Sequence, residues 1–332
     1  MERVDIMGFD NFVGQEKAVE IFKRGLSRKK LNHAYLLYGS EERGKLTFAF
    51  LAARAINCLN SQEGACGDCV SCQKIEKGLH PDVTIISPQG NNIKIEQLRQ
   101  AKAQASYRPN EGEKKVIVIK EAHLMSLPAA NSLLKILEEP PFYLVFILIT
   151  SDLALMPYTI VSRCQLVPFN QVPANEIFQF LKEHEQLGSF PEEQLKTAAT
   201  LADGSIGQAI KIVSSTEWQE RRKRYFQMSR DIVLNSDTDI FSCIEELMEE
   251  EKILDFFDFL ESILRDCLVY QSTEEESLII NIDYLQEIKG IKNKSYRKLL
   301  KMIREVERFK KNSGLPLNKR LALEALLVKL KG

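Results

Sequence analysis

The chain has 332 residues, 44% of them hydrophobic, and a formal net charge of −1. This length is enough for two or three domains with cores of their own, and the near-zero charge excludes a global positive field that would draw the whole chain to nucleic acid. Residues 1–5 lack the basic and apolar regions of a signal peptide, and the longest apolar run, residues 142–149, is too short to span a membrane. We therefore expect a cytoplasmic protein with no membrane segment.

Strand-like and helix-like segments alternate through the first 170 or so residues. The apolar runs are continuous, which is typical of strands covered on both faces and therefore of a parallel sheet. One helical segment has a single apolar stripe, at Ala130, Leu133, Leu134 and Leu137. The alternation predicts a doubly wound α/β domain. Its predicted strands are Tyr35–Tyr38, Val83–Ile86, Val116–Ile119, Leu144–Ile149 and Gln165–Phe169.

A phosphate-loop pattern, Gly39-Ser40-Glu41-Glu42-Arg43-Gly44-Lys45-Leu46-Thr47, follows the first predicted strand and opens a helix. That is the context in which such a loop binds phosphate. Gly39 and Gly44 would let backbone amides face an anion, and Lys45 would reach the outer phosphates. The candidate nucleotide-binding residues are therefore Gly39, Gly44 and Lys45.

The loop departs from the pattern in two ways. Leu46 stands where a Ser or Thr hydroxyl would bind magnesium, and Thr47 comes one position late. Glu41 and Glu42 lie in the loop itself and would repel phosphate if they faced the site. Two alternatives stay open, residual nucleotide binding by the loop or a purely structural contact of Lys45.

A further departure follows the third predicted strand. A working site has a magnesium-binding aspartate there, but this chain has Lys120, and an ammonium group cannot coordinate magnesium. Glu121, at the position that would orient attacking water, is left without a metal to act with. The sequence predicts a phosphate-binding fold that has lost hydrolysis.

Four cysteines follow the helix that the phosphate loop opens. Cys58, Cys66, Cys69 and Cys72 have the spacing C-x7-C-x2-C-x2-C. Such tight spacing in a chain without signs of secretion favours metal binding over disulfides. Four thiolates can close a tetrahedral shell around one zinc ion, so we predict a zinc site. The remaining cysteines, Cys164, Cys243 and Cys267, fit scattered buried thiols better.

The segment Thr159–Cys164 falls just before the fifth predicted strand and contains Ser162-Arg163-Cys164. Arg163 has two interpretations. It is a surface charge, or it is an arginine finger whose planar fork stabilises a phosphoryl group in a neighbouring subunit. The spacing alone does not decide between them.

The β signal fades after Phe169, and Val172-Pro173 marks a predicted hinge. Residues 174–213 predict a small helical unit with helices at 176–182, 192–201 and 207–213. From Thr216 onward the pattern is almost wholly helical, with basic runs at 221–230 and 292–311 and an acidic run at 245–251. Charge runs of this kind are typical of solvated helix faces, and they can pair with each other or with neighbouring subunits.

Further segments between residues 9 and 170, about half of the chain, complete the pattern. The set comprises Phe9–Gln15, His33–Tyr35, the phosphate loop, the four cysteines, His80–Asp82, Ile93–Glu96 with Arg99, Ala129–Lys135, Leu137–Pro141 and Ser162–Cys164. Taken together, these segments resemble one family, the delta-prime subunits of bacterial DNA polymerase III clamp loaders in the AAA+ group. Three departures separate the chain from the ATP-hydrolysing tau/gamma subunits of that group: the altered phosphate loop, Lys120, and Gly207, where a nucleotide-sensing arginine is expected.

The resemblance implies three domains: an AAA+ parallel-sheet core at 1–170 with a zinc knuckle at 58–72, a small helical lid domain at 171–214, and an all-helical C-terminal collar domain at 215–332. It implies that the four cysteines hold structural zinc in a closed shell without a catalytic position. His80 is another ligand by residue type, but a turn or packing role is expected.

The resemblance also implies a role within a complex. Arg163 would act in trans on ATP held by an adjacent tau/gamma subunit, and this chain would be a non-catalytic subunit of a DNA polymerase holoenzyme with no ATPase of its own. The implied partners are the tau/gamma and delta subunits and, through the complex, the sliding clamp and primed DNA.

Two other functions compete with this interpretation. The first is an active AAA+ motor of the tau/gamma type with an unusual loop. The second is a zinc-dependent DNA-binding module, against which stand the near-zero net charge and the lack of a stripe in which aromatic and basic residues interleave.

Overall fold

A computed structural model describes residues 8–61, 64–234, 244–245, 247–248, 253–291, 295–312 and 319–331. The chain divides into two compact units, one up to Phe180 together with Asp203–Gly207, the other Leu181–Ala202 together with the chain from Gln208 onward. No helix among the described residues is long and apolar enough to cross a membrane.

The first unit is built on a five-stranded sheet in which every neighbouring pair of strands is parallel, in the order β2-β3-β4-β1-β5. Its α/β class confirms the prediction from the continuous apolar runs. The whole of β4 is buried, since both faces of the sheet are covered. The strands are β1 (Ala34–Tyr38), β2 (Val83–Ile86), β3 (Lys115–Ile119), β4 (Leu144–Thr150) and β5 (Gln165–Pro168).

Helices cover the sheet on both faces. One core contains a cluster of aromatic rings in which Phe48 meets Phe12, Phe22 and Phe169. The core on the other face includes Leu98 and Leu133. The helices of this part are α1 (Glu16–Ser27), α2 (Lys45–Ile56), α3 (Val70–Glu76), α4 (Ile95–Ala105), α5 (Leu127–Glu138) and α6 (Tyr158–Val161), with 3-10 turns at Phe9–Asn11 and Ala122–Leu124.

The predicted helix before the fourth strand is α5, and local signals set its ends. Ser126 caps its first turn by accepting a hydrogen bond from the amide of Ala129 at 3.4 Å. A proline occupies the first turn, where its missing N–H costs nothing. The helix ends at Glu138, just before Pro140-Pro141.

The remaining chain is helical in all of its described regular segments, as predicted. The division between the two units falls within α7 and directly after the first residues of α9. The helices are α7 (Ala174–Glu183), α8 (Glu192–Leu201), α9 (Ile206–Ser214), α10 (Thr216–Leu234), α11 (Ile253–Thr273), α12 (Leu285–Gly290), α13 (Tyr296–Asn312) and α14 (Lys319–Lys331), with 3-10 turns at Glu276–Leu278 and Ile282–Tyr284.

The second unit has one polar network within an apolar core. The buried guanidinium of Arg222 donates to the carboxylate of Asp283 at 2.8 and 2.9 Å and to Asn281 Oδ1 at 2.6 Å. The fully buried carboxylate of Asp266 accepts from the backbone and side-chain amides of Asn281 at 2.8 and 2.7 Å. The network fixes the segment before α12 against α10 and α11.

Most of the predicted acidic run at 245–251, and Lys292 and Lys294 of the basic run, lie outside the described residues.

Candidate functional site

The phosphate-loop pattern lies between the end of β1 and the start of α2, as the sequence predicts. Its two outer glycines have positive φ angles, 145° at Gly39 and 82° at Gly44. A Cβ at Gly39 would lie 2.2 Å from the carbonyl oxygen of Phe169, and one at Gly44 would lie 3.2 Å from Phe12 Cζ. Backbone conformation and space therefore both favour glycine at these positions.

Lys45 is buried, and its ammonium donates hydrogen bonds to the carbonyl oxygens of Gly39 and Ser40 in its own loop. Burial lowers its pKa, while the charges of Glu121 and Glu41 act to raise it. The lysine therefore makes a structural contact within its loop, and it also interacts electrostatically with the Glu121 carboxylate beyond β3.

A turn that is distant in sequence, Asp203–Ser205, holds the phosphate loop by hydrogen bonds. Buried Arg43 donates to the backbone carbonyl of Asp203 and, at 3.2 Å, to its carboxylate. The hydroxyl of Ser205 donates to the carbonyl of Glu42 at 2.6 Å. Between them, Gly204 has a φ of 76°, and a Cβ there would lie 2.6 Å from Arg43 Nη1. These contacts fix the loop against the Asp203–Ser205 turn.

The residues directly after β3 are those at which the sequence predicts a missing magnesium-binding carboxylate. Lys120 follows the strand, and Glu121 has a left-handed φ of 47°. The carboxylate of Glu121 lies 3.7 Å from His123 Nδ1, and that nitrogen is 3.1 Å from the hydroxyl of Thr150. Leu46, at the position of the magnesium-binding hydroxyl, packs against the core. Thr47, one position later, is exposed. The Glu121 carboxylate thus lies near His123 and acts electrostatically, together with Glu41, on the ammonium of Lys45.

The four cysteines of the predicted knuckle converge. Their Sγ atoms all lie within 4.8 Å of one another, with Cys69 and Cys72 buried and Cys58 and Cys66 partly buried. A tetrahedral shell with Zn–S bonds of about 2.3 Å requires S···S separations of about 3.8 Å. The observed grouping therefore fits one four-thiolate metal site with small adjustments of rotamers.

Hydrogen bonds within the knuckle favour the thiolate form that a metal needs. The amides of Cys69 and Cys72 donate to the sulfurs of Cys66 and Cys69, each at 3.4 Å. At Cys69, burial opposes ionisation, but hydrogen bonds from the amides of Leu59 and Cys72 and from neighbouring thiols lower its pKa to about 6. Burial raises the pKa of Cys72, and the neighbouring thiols of Cys69 and Cys58 raise it further.

His80 is not a member of this cluster among the described residues. It is buried, and its Nδ1 accepts a hydrogen bond from the amide of Asp82 at 3.1 Å. The expected turn or packing role is confirmed.

Arg163 lies directly after the short helix α6. Its Nη1 donates to the carbonyl of Thr159 at 2.9 Å, and its Nη2 donates to Glu138 Oε1 at 2.6 Å. One third of the side chain, 34%, is exposed. Tyr158 and Leu155 nearby in sequence are 82% and 62% exposed. The guanidinium is thus presented at a surface, held by one exposed carboxylate that the sequence did not single out.

Sequence reasoning also missed the role of Asp82. Its buried carboxylate accepts from three consecutive amides, those of Asn110 and Glu111 at 2.8 Å and Gly112 at 2.9 Å. Burial acts to raise its pKa, but the three amide hydrogen bonds lower it overall. The only signal was its place in the His80-Pro81-Asp82 segment, which gave no clue to its partners.

The parallel sheet, the phosphate loop between β1 and α2, and the helical second unit define a phosphate-loop α/β protein of the AAA+ type. Over residues 14–173 the chain matches the family described as "DNA polymerase III, delta subunit", and over 215–332 the one described as "DNA polymerase III, delta subunit, C terminal". It is 30% identical to DNA polymerase III subunit delta' of Bacillus subtilis over 83% of both chains. The chain belongs to the family of DNA polymerase III delta-prime subunits.

Relatives of another subunit type share the N-terminal part. The chain is 37% identical to DNA polymerase III subunit gamma of Buchnera aphidicola over 62% of its own length and 57% of the gamma subunit. It therefore spans little more than half the length of that relative. A DNA polymerase III gamma subunit-related protein of Thermotoga maritima has a TM-score of 0.44 and 18% identity, covering 95% of this chain and 98% of that one.

Proposed function

We propose that this chain is a non-hydrolysing subunit of the DNA polymerase III clamp loader, and that it supplies Arg163 in trans to the ATP site of a neighbouring tau/gamma subunit. The observation that carries the proposal is Lys120 at the end of β3, in the place of the magnesium-binding carboxylate. Membership of the delta-prime family supports the clamp-loader role.

The loss of hydrolysis rests on charge and geometry. Phosphoryl transfer depends on magnesium held by a hydroxyl of the loop and a carboxylate beyond the third strand. Here those two positions have Leu46 and Lys120. An ammonium at Lys120 repels a divalent cation, and Glu121 has no metal-bound phosphate on which to act as a base. Lys45 is bonded to its own loop, which supports a structural role over nucleotide binding.

The trans role of Arg163 is supported by how weakly it is held. An exposed ion pair such as that with Glu138 contributes about 0–1 kcal/mol. An arginine finger at a phosphoryl-transfer site is worth about 10³–10⁵ in rate. If Arg163 leaves Glu138 to contact a neighbour's γ-phosphate, little ion-pair energy is lost, while the rate of phosphoryl transfer rises by a large factor.

The four cysteines are proposed to hold structural Zn²⁺. Four thiolates complete the tetrahedral shell, so the ion has no open position for substrate and supplies stability, not chemistry. The knuckle then joins the end of α2 to the start of α3.

The three predicted domains, an AAA+ core at 1–170, a lid at 171–214 and a collar at 215–332, are proposed as the working units of this subunit. Its proposed partners are the tau/gamma and delta subunits, with the sliding clamp and primed DNA reached through the complex, in the cytoplasm. In this arrangement the collar helices join the subunits and the core presents Arg163.

Reconstitution tests the proposal. The chain is mixed with its own tau/gamma and delta subunits, and ATP turnover and clamp loading are measured with wild type, Arg163→Ala and a matched control, Arg108→Ala, at another exposed arginine. We expect the ATP site completed by Arg163 to lose about a thousandfold or more of its rate, so that total turnover falls by that site's share while assembly is kept. Arg108→Ala should behave as wild type. Unchanged turnover by an assembled Arg163→Ala complex would remove the finger assignment.

One observation favours a second candidate, an ATP-hydrolysing tau/gamma-type subunit. The 37% identity to a gamma subunit exceeds the 30% identity to the delta' subunit, although it covers less of the chain. The purified chain alone separates the two, because a motor would turn over Mg·ATP steadily and lose this activity on Lys45→Ala.

A further inference from the structure

Helix α13 has two sharply different faces. Leu299, Met302 and Val306 are buried in the core of the second unit. The opposite face presents five exposed cations at i, i+4, i+7, i+11 and i+14. At 3.6 residues per turn these side chains fall within an arc of about 80°, and they extend over about 21 Å. This basic stripe consists of Arg297, Lys301, Arg304, Arg308 and Lys311.

The members of the basic stripe differ from the cations around them in having no partner among the described residues. Lys310, on the same helix, pairs with Asp258 at 2.5 Å and Glu261 at 2.7 Å. Lys329 of α14 pairs with Glu305 at 3.1 Å. No ion pair or hydrogen bond joins the five side chains of the stripe to any residue that the structure describes. Among the described residues, the inward Lys310 of this helix thus forms ion pairs within the fold, whereas the five outward cations form none.

Two hollows adjoin the N-terminal half of the stripe. One, of about 290 Å³, is lined by residues that include Arg297, Lys301 and Lys329. The other, of about 510 Å³, is lined by Arg297, Leu300, Lys301, Arg304 and Glu305. Since Arg297 and Lys301 line both, the two open hollows adjoin each other beside the stripe.

We propose that the basic stripe binds the phosphate backbone of duplex DNA without reading its sequence. Each strand of B-DNA has one negative charge per about 3.4 Å of axis, so a straight rod of five cations about 21 Å long matches a run of phosphates. Arginine is suited to this role because its fork donates to two phosphate oxygens at once.

The same surface fits other anionic macromolecules less well. Single-strand binding depends on aromatic side chains among the cations as stacking platforms, and on α13 the exposed aromatic, Tyr296, lies at the helix start outside the stripe. Protein interfaces depend on apolar anchors, and Leu299, Met302 and Val306 of this helix are already buried in its own unit. The stripe offers charge alone, which is what a sequence-independent backbone contact uses.

The inference does not depend on the proposed role of Arg163 or of the phosphate loop. It concerns one helix of the second unit and predicts DNA binding by the chain itself. It also differs from a zinc-dependent module, since the knuckle has no part in it.

The test is DNA binding by the full-length chain, measured by fluorescence anisotropy with a labelled 20-base-pair duplex, the matching single strand, and polyglutamate as competitor, between 50 and 200 mM salt. The test variant is Arg297→Gln/Lys301→Gln/Arg304→Gln. The control variant, Lys17→Gln/Lys30→Gln/Lys77→Gln, removes the same charge from exposed positions of the first unit. Circular dichroism confirms that both remain folded, and the single variant Lys301→Glu repeats the test with one change.

For five phosphate contacts we expect a slope of log affinity against log salt of about −4.5, falling to about −1.8 in the test variant. At 50 mM salt the test variant should lose affinity by about a hundredfold or more, and the control by less than about threefold. Absence of duplex binding by wild type at 50 mM salt, equal losses in the two triple variants, tighter binding of the single strand, or displacement of DNA by equal amounts of polyglutamate would each overturn the proposal.

Discussion

The knuckle allows the sharpest test of stability, by replacing one of its buried thiols. Cys72 is fully buried and lies in the same core as Ile75 and Ala53. In Cys72→Ser the proposed zinc ion would lose one of its four ligands, and a hydroxyl would replace a sulfur in an apolar site. The hydroxyl alone costs about 1–3 kcal/mol if it finds no partner.

The metal accounts for the larger part of the effect. Structural zinc contributes about 10–16 kcal/mol of binding free energy in small peptides, whereas a whole domain is stable by about 5–15 kcal/mol. Loss of most of this binding should leave the first unit marginal. We expect about one zinc per wild-type chain, and in Cys72→Ser little zinc and a melting temperature lower by 10 °C or more, on the scale of about 2–4 °C per kcal/mol for a unit of this size.

A matched control exists in the second unit. Cys267 is 2% exposed and lies outside the cluster, so Cys267→Ser makes the same chemical change at a buried thiol without touching the knuckle. It should keep full zinc content. Zinc is measured by elemental analysis and unfolding by calorimetry, with and without a chelator. Wild type that holds no metal when grown with zinc, or equal melting of Cys72→Ser and Cys267→Ser, would refute the reasoning.

Three further changes test contacts that the sequence did not indicate. Asp82→Asn should lower the free energy of unfolding by about 2–4 kcal/mol, since a charged acceptor of three amides is lost. Because the folded pKa of Asp82 is lowered, its contribution to stability is present above about pH 4 and is lost as pH falls through the folded pKa. In urea titrations at acidic pH, the stability of the variant should therefore depend less on pH than that of wild type. Arg222→Met should cost about 3–5 kcal/mol by leaving the Asp283 carboxylate without its cationic partner, and the double variant with Asp283→Asn should partly reverse this loss. Equal stability of Arg222→Met and wild type contradicts the network. Glu138→Gln should change stability by less than about 1 kcal/mol, since its pair with Arg163 is exposed, and a larger loss in chemical denaturation would show a structural role instead.

The local parts of the fold followed from the sequence. Apolar runs located all five strands to within one or two residues. The signal was strongest for the buried strands β3 and β4, because strands covered on both faces have few polar positions. Pro140-Pro141 located the end of α5, and the spacing of the cysteines indicated their convergence. Each of these signals lies within a few residues of the feature that it predicts.

The parts that sequence reasoning missed depend on contacts between distant residues. The strand order places β1 between β4 and β5, although more than 100 residues separate β1 from either in the chain. The hydrogen bonds that hold the phosphate loop join Arg43 to Asp203, 160 residues away. Arg163 finds Glu138 across 25 residues. No periodicity encodes such pairings, and only the folded backbone brings these groups together.

We propose that the chain keeps the fold of a phosphate-loop motor without its magnesium chemistry. The most direct measurement is hydrolysis of Mg·ATP by the isolated chain, in parallel with Lys45→Ala, after removal of contaminating ATPases. We expect rates at background for both, with no dependence on magnesium. Repeated turnover by wild type that needs magnesium and disappears in Lys45→Ala would contradict it.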